Sequence, residues 1–175
     1  MFAAVKRLIY RFVEICLLRA PPQALPASGF LLWLTALLAL LSGTLAGGFR
    51  VGGMDTALVA QALELLALAL LLRAGLAVRG HRGRFTQAAS ALFGSVVVIN
   101  LALLPVQLMM GADPAASFIG QLGVLLFLLL LVWSLVVLAH ILRHALDTDF
   151  VVGSLFSIGY FLFMNWLVQL LFTVP

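Results

Sequence analysis

The chain has 175 residues, of which 65% are hydrophobic and 9% charged, with a formal net charge of +4. Soluble globular chains run at roughly 45–50% apolar and about 25% charged, so the composition excludes a soluble domain and points to a polytopic membrane protein. The single cysteine, Cys16, excludes an internal disulfide and a cysteine zinc site, and basic residues spread along the chain with no motif around them argue against nucleic acid as a partner.

Residues 1–20 predict an amphipathic helix. Phe2, Val5, Leu8, Ile9, Phe12, Val13, Ile15 and Cys16 share one broad face on a helical wheel; Lys6, Arg7, Arg11 and Glu14, with Tyr10 among them, share the other. A basic helix of this kind lies in the membrane interface. Glu14 and Arg19 interrupt the run that a cleaved leader would need, so the segment is expected to stay. Pro21, Pro22 and Pro26 then break the helix within a linker over 21–29.

Residues 30–175 predict an all-α bundle of five transmembrane helices, at 30–47, 57–78, 86–110, 118–142 and 150–172. Each run approaches or exceeds the ~20 residues of helix that cross a bilayer. Asp55, Asp113 (followed by Pro114) and Asp149 stand where the second, fourth and fifth spans begin and suit capping of free amides. Apolar character in the fourth span persists to Leu146, so it should tilt or project on its basic side. Five spans put Lys6, Arg7, Arg11, Arg19, Arg73, Arg79, Arg82, Arg84 and Arg143 on one side and Arg50 alone on the other. That asymmetry predicts a cytoplasmic N-terminus and an exterior C-terminus at Pro175.

The spans carry polar groups in the half away from the basic side. Glu64 is the acid within the second span, and Gln61 lies one turn from it on the same face. Asn100 and Gln107 share a face of the third span, Gln121 opens the fourth, and Asn165 and Gln169 are i, i+4 neighbours in the fifth. Two readings stay open. In one, the groups are interhelical hydrogen-bonding partners that hold the bundle together, at ~0.6 kcal/mol each. In the other, they line a polar cavity in which Glu64 responds to protons or cations, as ionisable residues inside membranes commonly do. Pro105, deep in the third span, is a candidate kink near Asn100.

Other motifs point to contact surfaces. His140, His144 and Asp147 have i, i+4, i+7 spacing, which suits a helix C-terminus better than an incomplete zinc site. The loop "RGHRGRF" lacks the ending of a phosphate loop; with Lys6, Arg7 and Arg11, its Arg79, Arg82 and Arg84 form a basic face for anionic headgroups or a protein partner. Gly43/Gly47, Ser90/Gly94 and Gly153/Ser157 are small-residue pairs that let helices approach closely, within the chain or in a homodimer. No enzyme signature, metal site or cofactor motif is present, so a non-enzymatic protein without a cofactor is expected.

The segment "GRFTQAASALFGSVVVINLALLP", residues 83–105, resembles the glycine-rich loop, Phe-x-Gln and proline-bearing span of the Yip1 family, and "VWSLVVLAHIL", residues 132–142, is similar to that family's fourth span. The resemblance implies a compact, bacterial-type five-span member in the inner membrane, acting through protein or lipid partners. The expected function is therefore a scaffold or accessory subunit in membrane organisation. The alternative is a small transporter or channel component with a polar site around Glu64, Asn100 and Asn165.

Overall fold

The computed structural model describes residues 2–48, 53–111 and 113–172. Arg50 and Pro175 lie outside the described residues, and the side chains of Phe2 and Val5 are likewise undescribed. The described residues form six α-helices: α1 (Phe2–Cys16), α2 (Gly29–Gly48), α3 (Met54–Val78), α4 (Phe85–Met110), α5 (Phe118–Leu146) and α6 (Phe150–Phe172). No strand occurs among the described residues. Helices α2 to α6 are the five long and apolar enough to cross a membrane, so the chain is an integral membrane protein by length and composition.

The helix ends follow local chemistry, with some departures from expectation. Ser117, not Asp113, caps α5: its hydroxyl accepts from the Gly120 amide at 3.0 Å. Asp113 accepts from the Ala115 amide at 3.1 Å and so stabilises the short 3-10 turn at Pro114–Ala116. Asp55 sits inside the first turn of α3, after Gly53, where its charge faces the helix dipole without capping an amide. Asp147 ends α5 in the left-handed region at φ 56°, and Arg79 donates to the Leu146 and Asp147 carbonyls at 3.0 and 2.9 Å. Pro105 lies inside α4 without ending it; it offers no amide to the Leu101 carbonyl one turn earlier.

The bundle has two unlike halves. Toward the end that carries Arg79, Arg82, Arg84 and Arg143, every residue of α4 from Ala88 to Ser95 is buried. Against it pack Leu68, Leu72 and Leu76 of α3 and Val137, Ile141 and Leu142 of α5, all nearly solvent-free. In lipid such contacts gain little from leaving water, so close packing must hold them. The small residues supply it. Gly94 leaves room for the Phe12 ring, Gly153 lies against the Ala139 carbonyl, and the Ser157 hydroxyl donates to the Leu135 carbonyl at 2.8 Å. In the opposite half, α4 beyond Ser95 buries only Val106 among its residues, and α5 before Val137 buries only Gly120 and Gly123.

The N-terminal segment is fastened to the dense half. Phe12, Ile15 and Cys16 of α1 are buried, and α1 packs on α4 and α5. The chain turns at Leu18, left-handed at φ 61°, where the Arg19 amide donates to the Glu14 carbonyl at 2.8 Å. It then runs along α5 toward the basic end. Trp133 Nε1 donates to the Cys16 carbonyl at 2.8 Å, His140 Nε2 to the Ala20 carbonyl at 3.1 Å, and Gln23 to the His144 carbonyl at 2.8 Å. Trp133 and His144 are about 16 Å apart along the helix axis. Gln87 of α4 closes the series by donating to the Leu25 carbonyl at 2.9 Å.

Candidate functional site

The open half of the bundle contains a groove of about 310 Å3. Its floor is the edge of the core, formed by Leu68, Leu92, Val137 and Ile141. Its polar lining includes Gln61, Glu64, Asn100, Gln107, Ser134 and Tyr160. The volume is at the lower end of small-molecule sites, which are mostly apolar with a few placed polar groups.

Most of these groups form one tier. Gln61 packs against Gly43, where a side chain on α2 would collide with its amide. Asn100 donates to the Ser42 hydroxyl at 3.4 Å, a long bond. Tyr160 donates to the Glu64 backbone carbonyl at 2.8 Å. These links bring α2, α3, α4 and α6 to a common level. Because α3 begins at Met54, Glu64 lies ten residues from its start, about 15 Å deep and deeper than the sequence spacing suggested. Gln107 stands about two turns farther out on α4.

The polar lining of the groove is poorly satisfied from within. Gln61 Nε2 and both amide atoms of Gln107 are buried with no hydrogen-bond partner. The Glu64 side chain is exposed, and its carboxylate has no hydrogen bond or ion pair among the described residues. Buried polar groups usually find partners, and leaving one unmade costs about 1–3 kcal/mol. Among the described residues, Asn100 and Tyr160 make interhelical bonds, and the Gln61, Glu64 and Gln107 side chains make none. One carboxylate, several amides and no cation fit a small cation or a donor-rich group whose apolar part rests on the leucine walls. They do not fit an anion. Among the described residues, no three His, Cys, Asp or Glu side chains gather to hold a metal ion.

Three expected members lie elsewhere. Gln121 is exposed at the start of α5 and donates to the Ala115 carbonyl at 3.3 Å, a contact local to the loop. Asn165 and Gln169 are exposed on the outside of α6, joined to each other at 3.0 Å. Neither is among the residues that line the groove, to which α6 contributes Tyr160, Phe161 and Met164. Conversely, Tyr160 and Ser134 belong to the groove without having stood out in the sequence. The available signal was a tyrosine ten residues into a span, far from the interface where tyrosines are enriched.

The basic residues divide by use. Arg79 is spent on the end of α5, while Lys6, Arg7, Arg11 and Arg82 are exposed and Arg84 is half-buried. Arg11 pairs with Glu14 at 2.9 Å. His140 is buried against Ala20 and meets the His144 ring edge-on at 4.7 Å. Comparison with family models, curated proteins and solved structures returns no match.

Proposed function

We propose that the chain is a non-enzymatic membrane protein that binds a small cationic or hydrogen-bond-donating solute at Glu64, as a small transporter or its solute-binding component. The observation that carries this reading is the unsatisfied set of Glu64, Gln61 and Gln107 around one groove. A bundle held together by its polar groups would pair them. The groove ends on packed leucines toward the basic end, so passage of a solute requires the dense half to open.

A second reading, the scaffold or accessory subunit of a Yip1-like membrane organiser, rests on the bare Asn165–Gln169 pair. Two amides facing lipid are costly, and a partner helix would satisfy them. The basic face of Lys6, Arg7, Arg11, Arg82 and Arg84 would then lie on the cytoplasmic leaflet of a bacterial inner membrane. In this placement α1 is interfacial, with Ile9 and Val13 toward lipid and its buried face on α4.

One experiment separates the two. An apolar carbodiimide attacks carboxyl groups that sit unpaired in a membrane, and mass spectrometry locates the adduct. Modification at Glu64, slowed by small organic cations, together with proton-linked flux in proteoliposomes that Glu64→Gln abolishes, is the expected result. An unreactive Glu64 and a stoichiometric protein partner released by Asn165→Leu would leave the second reading standing.

A further inference from the structure

A separate cavity of about 320 Å3 opens at the basic end, lined by Arg73, Leu76, Ala77, Arg82 and Phe85. Two arginines thus converge on one apolar-floored notch. The Arg73 guanidinium lies 5.8 Å from the centre of the Phe85 ring, and both arginines are exposed. Neither has an ion pair or a hydrogen bond to any described residue. Of the other cations at this end, Arg79 donates to the carbonyls that end α5, and Arg143 lies 5.5 Å over the Phe150 ring, away from the notch. Two unneutralised like charges around a low-dielectric notch repel, and an anion between them relieves it.

The surroundings specify the anion. Arg73 stands inside a membrane-spanning helix, and Leu70 and Leu66, three and seven residues before it on the same face, are 57% and 56% exposed. That bare strip leads from the notch toward the middle of the bilayer, along the path of an acyl chain. We propose that the notch binds the phosphodiester of an anionic phospholipid, with Arg73 and Arg82 holding the phosphate and the acyl chains lying on Leu70 and Leu66. Guanidinium groups match phosphate oxygens in charge and geometry. A net-negative headgroup is preferred over choline, whose positive charge would meet the arginines. This site is on α3 and the loop before α4, apart from the groove at Glu64, and does not depend on that groove's ligand.

The test titrates the purified protein in detergent with dioleoyl-phosphatidylglycerol and dioleoyl-phosphatidylcholine, reading bound lipid by native mass spectrometry and the thermal midpoint in parallel. Wild type should retain phosphatidylglycerol preferentially and gain thermal stability from it. Arg73→Gln or Arg82→Gln should weaken retention roughly tenfold, the loss of one charge-assisted contact. Arg19→Gln, an exposed arginine outside the notch, should retain lipid like wild type. Equal retention of the two lipids overturns the proposal, as does unchanged phosphatidylglycerol retention in the Arg73→Gln/Arg82→Gln double variant. Inorganic phosphate that reproduces the whole thermal gain without lipid also overturns it, in favour of a free anion.

Discussion

Gly43 shows how narrow the tolerance of the polar tier is. A methyl group there would occupy the space of the Gln61 amide, which is itself 8% exposed and cannot yield freely. Gly43→Ala should lower stability by about 1–3 kcal/mol, as overpacking does, and the Gly43→Ala/Gln61→Ala double variant should recover most of it. Thermal midpoints in micelles check this; equal midpoints for wild type and Gly43→Ala would show that Gln61 moves without penalty. Sequence spacing located Glu64, Gln61, Asn100 and Gln107 because acids and amides stand out in apolar runs. Gln121 does open α5, and Asn165 and Gln169 do pair along α6, but none of the three lines the groove, because depth along a helix is legible while azimuth is not. An all-round apolar helix has no periodicity to say which face turns inward.

At the scale of elements, the five spans were legible from run length alone, while the ends shifted by a few residues where turns and caps decide. The fastening of α1 was not legible. Its wheel shows one apolar face, yet Ile9 is 58% exposed while Ile15 is buried, so that face splits into a strip on the bundle and a strip on its surroundings. The donors that hold the segment after α1, Trp133, His140 and Gln87, are more than 60 residues away in the chain. Cys16 reports on this element. Burial pushes its thiol above the ordinary value, and the nearby Ser95 hydroxyl offsets this in part. The thiolate is the nucleophile, so labelling by a small maleimide at pH 7.5 should be at least ~10-fold slower than at an exposed cysteine and should rise with pH. Trp133→Phe strands the Cys16 carbonyl and should speed labelling; rapid labelling of the wild type would mean that α1 is not held down.

The whole molecule combines a charge asymmetry with a packing asymmetry. The cations cluster where the core is dense, and the groove opens where few cations stand. If charge sets orientation, the loop at Arg79–Arg84 faces the cytoplasm and the loop at Gly111–Ser117 faces out. Single cysteines at Gly83 and Pro114 in a Cys16→Ser background test this in intact cells: a membrane-impermeant maleimide should label the second and spare the first. The reverse pattern would turn the groove toward the cytoplasm.

The segment fastened along α5 also sets an order of assembly. Residues around Cys16 have no resting place when they leave the ribosome, because the Cys16 carbonyl is bound by a tryptophan 117 residues later. At 5–20 residues per second that interval is roughly 6–23 s. Until α4 and then α5 have been made, the buried strip of α1 has nothing to cover it, so this segment docks only after those later spans. The segment from Cys16 to Gln23 is thus a latch that closes only after the fourth crossing has been made.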